Sequence, residues 1–247
     1  MLVLAQACSG DVPTSDEAAV EETVTETPDR YTLSQEERAE GWEMLFDGKD
    51  VSAWRGYTRE AFPTRGWSVA DGELRVEHSG NDEAGFGGDI ITKEKYSDFD
   101  LIVEYALTDT ANSGIFYLVQ EVDDTPIWHS APEFQLLDDD TYREIMDLNP
   151  AQFTGSDYDM HAAPEDFSRP IGEWNTARIV KRGNDVEHYL NDNLVVAYTL
   201  HDDAWNSLFE KSKFAEYSSF ASVDEGHLGL QDHGHLVRFR NVRVRRL

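Results

Sequence analysis

The sequence predicts an all-β fold, a sandwich of two antiparallel sheets, and three observations lead to this prediction. After Trp42, apolar and polar side chains mostly alternate with a period of two, the pattern of strands with one buried face. Turn-forming pairs such as Asp71-Gly72 and Gly183-Asn184 separate neighbouring alternating runs, as in β-hairpins. Helical periodicity is confined to two short segments. Many short strands with frequent turns favour a sandwich over an alternating α/β fold.

A short helix is predicted over residues 33–40, before the first strand. Ser34 is a suitable N-cap, Glu37 completes a capping box three residues later, and Gly41 ends the helix. A second helix is predicted over residues 203–211, which Asp202 or Asp203 can cap. Its apolar stripe consists of Trp205, Leu208 and Phe209.

The strands are expected along the whole chain between these helices and beyond them. They are predicted over residues 43–46, 66–70, 73–77, 89–92, 99–107, 114–120, 133–137, 176–182, 186–190, 194–198, 227–232 and 236–245. The longest irregular stretch covers residues 139–173. Loops of that length inside a compact domain are usually functional.

The charge of the chain limits its partners. The sequence has 49 acidic and 21 basic residues, a formal net charge of −28. A negative field of this size disfavours nucleic acid and anionic membranes as partners. It suits neutral substrates such as sugars, or cations. The arginines of residues 238–246 are expected to form an exposed strand face rather than a nucleic-acid patch.

The N-terminal residues suggest an export signal. Cys8 is the single cysteine, which excludes an intramolecular disulfide and a zinc site of several cysteines. It follows a short apolar run that ends in a small residue, and this resembles the end of a bacterial lipoprotein signal. Residues 1–8 are then the remnant of a signal, 9–32 a disordered acidic tether and 33–247 one β-sandwich domain. The alternative is a disordered tail with an incidental cysteine.

A polar strand face stands out in residues 131–138. Glu133 and Gln135 are two apart in an apolar run, so they share one face of a strand, while Phe134 and Leu136 point to the other. A carboxyl group beside an amide can bind a polyol and can also move protons. The alternative is an acidic residue on a solvated sheet face.

Six motifs in order then make the chain resemble the 3-keto-disaccharide hydrolase domain family over residues 40–247. The motifs are GWEMLFDG at 41–48 with WRGY at 54–57, GGDIITK at 87–93 with YSDF at 96–99, NSGIFY at 112–117, PEFQLLD at 132–138, GEWN at 172–175, and GLQDH at 229–233 with FRNV at 239–242. The resemblance implies a concanavalin A-like jelly roll. It also implies cleavage of glycosides whose glucose a partner oxidoreductase has oxidised at C3.

The chemistry that this resemblance implies is an elimination. A ketone at C3 makes the C2 hydrogen acidic, so a base removes that proton, the C1 substituent leaves, and water then adds to the enone. Such an enzyme needs a base near C2, donors toward the C3 oxygen and an acid for the leaving group. It does not need the carboxylate pair of an ordinary glycosidase. Many members of the family are secreted or lipid-anchored, which implies a lipoprotein of the bacterial cell envelope, periplasmic or surface-exposed.

Three residues are the catalytic candidates: Glu133, His161 and Asp138. Glu133 is the first choice as acid or base, and His161, within the long irregular stretch, is the second. Which of these two is the acid and which the base stays open. Asp138 has the opposite strand parity from Glu133, so it reaches the site only if the strand bends or bulges.

The candidates for substrate binding surround these residues in the motifs. Asp89 and Lys93 share a strand face, and Lys93 could hold a developing oxyanion, with a solvent-exposed lysine as the alternative. Asn112 could bind sugar hydroxyls and Tyr117 could stack on a sugar ring, although a turn and a core position are the respective alternatives. The remaining candidates are His129, Gln135, Tyr158 and Asp159, the last sharing a face with His161 if that segment is extended.

No metal site is predicted and no cofactor is required, but a divalent cation such as Ca²⁺ stays an open option. His227, His233 and His235 form a local group with Asp232, and His129 with residues 138–140 offers a second one. A solvated strand end is the alternative for the first group. The sequence contains no His-Glu-x-x-His motif and no EF-hand loop.

Three other functions are compatible with the same fold, because a fold does not determine a function. A non-catalytic carbohydrate-binding module would need aromatic and amide groups, but no acid beside a histidine. A conventional glycoside hydrolase of this fold would have the pattern Glu-x-Asp-x-x-Glu, whereas here Glu133 and Asp138 stand five apart. A tethered structural module is the third alternative.

Overall fold

The structure is a computed structural model that describes residues 31–79 and 86–247. Cys8, the signal remnant 1–8 and residues 9–30 of the predicted tether lie outside the described residues. Within the described part, none of the helices has the length and apolar character that crossing a membrane requires.

The predicted all-β sandwich is confirmed. Two antiparallel sheets account for nearly all of the regular structure among the described residues. The strands are β1 (Trp42–Phe46), β2 (Trp54–Gly56), β3 (Trp67–Ala70), β4 (Glu73–Val76), β5 (Ile90–Thr92), β6 (Phe99–Leu107), β7 (Asn112–Val119), β8 (Glu133–Leu137), β9 (Asn175–Arg182), β10 (Asp185–Leu190), β11 (Asn193–Thr199), β12 (His227–Leu230) and β13 (Val237–Arg246). The helices are α1 (Gln35–Ala39), α2 (Asp139–Ile145) and α3 (Asp203–Phe209), with short 3-10 helices at Ile127–His129, Pro150–Gln152 and Lys213–Glu216.

The larger sheet has eight strands in the order β11-β10-β9-β6-β13-β4-β3, and β1 pairs with the second half of β13. The smaller sheet has the order β2-β5-β12-β7-β8. Sequence neighbours are often not sheet neighbours, since β12 and β13 come from the end of the chain and lie inside their sheets. The last two strands of the chain therefore each occupy an internal position in one of the two sheets.

A β-bulge in β13 decides how its arginines are arranged. Asn241 has a φ of +49°, and the pairing of β13 with β6 shifts register between Arg240 and Arg243. Because the bulge adds one residue, Arg243 and Arg245 lie on the same face of the strand as Arg240. That face is half-exposed and rich in ion pairs, such as Arg240 Nε to a Glu104 carboxylate oxygen at 2.6 Å. The expected exposed arginine face is thus present, and its guanidinium groups form ion pairs with carboxylates of neighbouring strands.

The smaller sheet is apolar on its inner face and on part of its outer face. Ile90 and Ile115 point into the main core between the two sheets, where they pack with Phe134. Their chain neighbours Ile91 and Phe116 point outward and form a second cluster with Ile127. The segment that contains Ile127 therefore covers part of the outer face of this sheet.

Both predicted helices are present with somewhat different ends. In α1, Ser34 and Glu37 form the expected capping box, and α3 begins after Asp202 as expected but ends at Phe209, two residues early. Apart from the 3-10 helices, two of the described elements were not predicted. Strand β2 has only three residues, which is too short to show alternation, and α2 buries only its first residue, Asp139, so it has no apolar stripe to detect.

The first described residue packs against two turns of the larger sheet. A Cβ atom on Gly72 would lie 2.3 Å from Tyr31 Oη, and one on Gly48 would lie 2.8 Å from Tyr31 Cδ1. Gly72 belongs to the turn between β3 and β4, and Gly48 follows β1. The tyrosine ring therefore occupies space that only glycine leaves open at these positions.

Candidate active site

A cavity of about 410 Å³ opens on the outer face of the smaller sheet. Asn112 of β7 and Glu133 and Gln135 of β8 form its floor. Asp89, just before β5, and Gln231, just after β12, extend the floor. Because side chains alternate between the two faces of a strand, the sheet register brings these five polar residues to one side.

The carboxyl group of Glu133 lies over the backbone of Gly114 in the adjacent strand. A Cβ atom on Gly114 would lie 2.0 Å from Glu133 Oε1 and 2.6 Å from Glu133 Cδ. In the register, Gly114 pairs with Gln135 and not with Glu133. The Glu133 side chain therefore leans along its strand, into the space that the glycine leaves free.

Glu133 is almost fully buried at 6 % exposure. Burial disfavours a charge and raises the pKa of Glu133 to about 8. The positive charge of Lys213 acts in the opposite direction, and the negative charges of Asp89 and Asp157 raise the pKa further. Glu133 is therefore largely protonated at neutral pH, which is the state of a proton donor.

Asp89 faces the same cavity, and a backbone hydrogen bond orients its side chain. Its Oδ1 accepts a hydrogen bond of 3.0 Å from the backbone N–H of Asp232. Burial raises the pKa of Asp89 to about 7, while this hydrogen bond lowers it and the charge of Asp232 raises it. The Asp232 carboxylate in turn accepts the N–H groups of Gly87 and Gly88 at 3.0 and 3.1 Å. A fixed backbone loop thus supports the Asp89 side of the cavity.

A lysine held by aromatic rings forms part of the opposite wall. The ammonium of Lys213 lies 4.4 Å from the ring centre of Trp128 and 4.5 Å from that of Tyr158. All three residues line the cavity. Since the face of an aromatic ring attracts a cation, the rings hold this positive charge at the cavity wall.

Five of the predicted site residues line the cavity. These are Asp89, Asn112, Glu133, Gln135 and Tyr158. Two of their polar groups are positioned by neighbours, since Gln152 Nε2 donates to Tyr158 Oη at 3.1 Å and Gln135 Nε2 donates to the carbonyl of Gln152 at 3.3 Å. Their roles toward a substrate stay predictions.

His161 does not line the cavity, which corrects its prediction as the second catalytic group. Its Nδ1 lies 2.8 Å from Asp157 Oδ2, and its ring stacks on Tyr198 at 4.4 Å. The segment is a turn and not an extended strand, because Asp159 has a φ of +60° and His161 N–H donates to Asp157 O. Asp159 and His161 therefore share no strand face. Asp159 Oδ1 instead accepts a bond from Asn149 Nδ2 at 2.8 Å.

Asp138 supports the backbone, which corrects its prediction as a catalytic residue. Its Oδ2 accepts the N–H of Thr110 at 2.8 Å, and its Oδ1 accepts that of Thr141 at 3.3 Å as the N-cap of α2. The pairing of β8 with β7 runs without a register shift. No bulge therefore turns Asp138 to the face of Glu133.

Tyr117 belongs to the core, which corrects its prediction as a sugar-stacking residue. It is fully buried between the sheets. Its hydroxyl lies 3.0 Å from His188 Nε2 and forms a short hydrogen bond with Tyr198 Oη. Strand parity explains the position, because Tyr117 points to the opposite face from Phe116, which belongs to the outer cluster.

Lys93 and His129 also lie outside the cavity lining, contrary to their prediction as substrate-binding residues. Lys93 is exposed, and its backbone follows the end of β5. The ring of His129 stacks on Tyr217 with 3.8 Å between centres. The basic side chains that line the cavity are Arg59 and Lys213, and Lys93 is not among them.

Among residues 31–79 and 86–247, no group of three or more histidine, cysteine or acidic side chains could hold a metal ion. His227 and His235 occupy separate surroundings, since His227 Nδ1 lies 3.2 Å from Glu94 O while His235 packs near His78. His129 precedes β8 and residues 138–140 follow it, so that second group is divided by the length of a strand. His233 alone lines the cavity.

A comparison with protein families supplies the context for this cavity. The family described as the 3-keto-alpha-glucoside-1,2-lyase-like domain matches residues 41–245. The chain belongs to this family. The membership expected from the six motifs, in the 3-keto-disaccharide hydrolase domain family, is thus confirmed.

Two other proteins resemble the chain over most of its length. A protein of Bacteroides thetaiotaomicron named 3-keto-disaccharide hydrolase is 37% identical over 229 residues, which are 84% of this chain and 79% of that protein. The crystal structure of a proposed glycosyl hydrolase from Parabacteroides distasonis is 30% identical with a TM-score of 0.79. The match covers 88% of this chain and 99% of that one.

A more distant structure supports the fold alone. A Bacillus subtilis protein with a galectin-like fold superposes with a TM-score of 0.50 at 15% identity, covering 83% of this chain and 94% of that one. The lyase-like family thus shares a β-sandwich architecture with proteins of very different sequence.

Several cavity residues of this family member were not among the predicted catalytic and substrate-binding residues. They are Arg59, Gly87, Trp128, Lys213, Gln231 and His233. Gln231 carried a usable signal, because it stands in the GLQDH motif at the end of a predicted strand. Lys213 carried none, since its place above two aromatic rings depends on a 3-10 helix more than 50 residues away in the chain from Tyr158.

Proposed function

We propose that this protein cleaves 3-keto-glucosides by eliminating the C1 substituent and then hydrating the product. One observation carries the proposal: Glu133, a carboxyl group that is almost fully buried, lines a polar cavity. Membership in the lyase-like family and the name of the Bacteroides thetaiotaomicron relative support the substrate class.

The reaction conserves protons over its two halves. In the first half a base takes the C2 proton, the C2–H electron pair forms an enolate with the C3 carbonyl, and collapse of the enolate expels the C1 oxygen, which takes a proton from an acid. In the second half water adds at C1 of the enone while C2 regains a proton. The sum is one glycoside and one water converted to a keto sugar and an alcohol.

The cavity walls offer a partner for each demand of this reaction. Glu133 supplies the proton-transfer group, and Asn112, Gln135 and Gln231 present amides to sugar hydroxyls. The ammonium of Lys213 is our candidate to stabilise negative charge on the C3 oxygen, in the role that the sequence analysis gave to Lys93. A charge placed where negative charge develops is among the strongest contributions that a site makes to catalysis.

A conventional glycoside hydrolase is the second candidate, because Asp89 and Glu133 place two carboxyl groups in one cavity. Such enzymes use a carboxylate pair on either side of the glycosidic bond. A carbohydrate-binding module has less support. A binding site gains nothing from a buried carboxyl group that burial keeps protonated.

The deciding experiment supplies trehalose in two forms, as the unoxidised sugar and as 3-keto-trehalose. We expect release of glucose from the keto form only, with a transient enone absorbance. Cleavage of unoxidised trehalose would establish the conventional hydrolase, and binding without cleavage would favour the binding module. The Glu133→Gln variant is the matched control, because it keeps the shape of the side chain and loses the proton.

The substrate requires a supplier, and we propose an oxidoreductase that converts C3 of a glucoside to a ketone. For the location, we propose that Cys8 carries a lipid and anchors the chain to a bacterial cell envelope. The motivation is the apolar run before Cys8. Expression of the gene in a bacterium with a radioactive fatty acid tests this, because a Cys8→Ala variant should lose the label; equal labelling of both would contradict it.

A further inference from the structure

We infer that Asp89 is a second catalytic residue, the base that takes the C2 proton, and that Glu133 is the acid that protonates the departing oxygen. This inference rests on the proposed function. Among the described residues, Asp89 and Glu133 are the two carboxyl groups that line the cavity. From the sequence, Asp89 is predicted only to bind substrate, and His161 is the predicted partner of Glu133.

The sheet register places the two carboxyl groups on opposite sides of the cavity floor. In the strand pairing, Leu230 of β12 lies opposite Ile90 of β5 on one side and opposite Ile115 of β7 on the other. One residue further along, Asp89, Gln231 and Gly114 therefore form one row across the sheet. The hydrogen bond from Gln231 N–H to Gly114 O continues that row. Since the Glu133 carboxyl lies over Gly114, it sits two strand spacings, about 10 Å, from the Asp89 backbone.

This separation between the Glu133 carboxyl and the Asp89 backbone suits an elimination across one sugar ring. The two side chains approach each other from opposite ends of the row, and Gln231 lies between them on the floor. A ring bound above Gln231 would have C2 toward one carboxyl group and the C1 oxygen toward the other. The base and the acid then act on adjacent carbons without competing for one position.

Burial raises the pKa of both groups, to about 7 for Asp89 and to about 8 for Glu133, so Asp89 is the one that ionises first. Asp89 Oδ1 accepts a hydrogen bond from Asp232 N–H, and a donor to a carboxylate favours the ionised form. Glu133 is nearly inaccessible to water, and its carboxyl group lies over the backbone of Gly114. A carboxyl group in such surroundings retains its proton.

The proton balance gives a further reason for a pair. Elimination moves one proton onto Asp89 and one away from Glu133. Hydration reverses both transfers, because Glu133 takes a proton from the attacking water and Asp89 returns one to C2. Two carboxyl groups that share one proton therefore return to their starting state after each turnover, and no proton from bulk solvent is needed within the cycle.

The test separates the two roles with two probes. The first is 1,5-anhydro-3-keto-glucitol, which has no group to eliminate, so exchange of its C2 hydrogen in D₂O reports the base alone. The second is a pair of 3-keto-glucosides of one anomeric form, with methyl or 4-nitrophenyl as the aglycone. A nitrophenolate leaves without protonation, so this pair reports the acid.

Asp89→Asn should lower C2 exchange and cleavage of both glucosides by about 100-fold or more. Glu133→Gln should keep C2 exchange within a few-fold of the parent, lose methyl glucoside cleavage and largely retain nitrophenyl glucoside cleavage. The amide oxygen that Asp89→Asn introduces can still accept the Asp232 N–H, so this variant should fold, and calorimetric binding of the anhydro sugar checks this. Asp140→Asn, at a side chain that is 98% exposed, is the control and should match the parent.

Normal C2 exchange by Asp89→Asn, or loss of exchange by Glu133→Gln, would overturn the inference. Either result would leave the proposed function intact if the parent enzyme still cleaves the keto glucosides. If the parent enzyme neither cleaves these glucosides nor exchanges the C2 hydrogen, the proposed function fails and this inference fails with it.

Discussion

Glu133 and Gly114 form one structural unit, because the carboxyl group of the first occupies the position of a side chain on the second. The distance of 2.0 Å between a Cβ atom built on Gly114 and Glu133 Oε1 leaves no room for both. The position of the candidate acid thus depends on the space that a glycine leaves open in the neighbouring strand.

Gly114→Ala should therefore displace the Glu133 carboxyl and lower kcat for the keto substrate by about 100-fold, the size of a general-acid contribution. The measurement is steady-state kinetics, with a melting curve beside it. Gly229→Ala is the matched control on the same sheet, because its Cβ would meet only the flexible end of Ile127, at 3.1 Å, and side-chain or backbone atoms at 3.2 Å or more. Equal kinetics for Gly114→Ala and the parent would show that the carboxyl position is unimportant.

Lys213→Met should lower kcat by roughly 10- to 100-fold, because it removes the charge that we assign to the C3 oxyanion. It should also raise the pKa of Glu133, since the charge of Lys213 lowers that pKa in the parent. A pH profile checks both effects, and its alkaline limb should move to higher pH. Lys211→Met is the control, because Lys211 is exposed and donates to Ser207 Oγ; an identical effect of both variants would argue against a local role.

The activity of the parent enzyme should have a narrow maximum in pH. Activity rises as Asp89, with a pKa of about 7, loses its proton, and it falls as Glu133, with a pKa of about 8, loses its own. The charged and titratable groups around the pair are Arg59, Lys213, Asp157, Asp232 and His233. A profile of kcat/KM tests this, and Glu133→Gln with the nitrophenyl substrate should lack the alkaline limb. A flat profile from about pH 6 to about pH 9 would contradict the assignment.

Glu133→Gln should make the protein more stable at pH 8. The folded pKa of Glu133 is raised above that of an unfolded chain, so stability that is present below pH 4.5 is lost as the pH rises toward 8. The amide has no such loss, and we expect Tm to increase on the order of 5 °C at pH 8, with little change at pH 4. Glu165→Gln, at an exposed side chain, should leave Tm unchanged at both values. A lower Tm for Glu133→Gln at pH 8 would contradict the prediction.

Tyr117→Phe should separate structure from substrate binding. The change removes a hydroxyl that contacts His188 and Tyr198 in the core, which should cost about 1–3 kcal/mol of unfolding free energy. KM for the keto substrate should stay within two-fold of the parent, a small change in binding energy. Chemical denaturation and kinetics are the measurements. A large rise in KM with unchanged stability would return Tyr117 to the substrate site.

Strand alternation is what made part of the site predictable. It placed Glu133 and Gln135 on one face, and both line the cavity. Alternation alone would place Arg243 on the opposite face from Arg240, but the bulge at Asn241 inserts a residue and reverses the parity. The same reasoning failed for His161, because a residue with positive φ turns the segment that the pattern treated as extended.

Other features depend on distant parts of the chain and leave no local pattern. The space for the Glu133 carboxyl comes from Gly114 on a different strand, and the charge of Lys213 comes from a 3-10 helix that follows α3. The support of Asp89 by Asp232 joins residues 143 apart in sequence. Only the assembled sheet brings these groups together.

The contact of Tyr31 with Gly48 and Gly72 has a practical consequence for handling the protein. Both glycines belong to turns of the larger sheet, whereas the cavity opens on the outer face of the smaller one. A tag, fusion partner or solid support joined ahead of Tyr31 is thus attached on the sheet that does not carry the cavity. Immobilisation through the N-terminal end should leave the mouth of the cavity open to dissolved sugars.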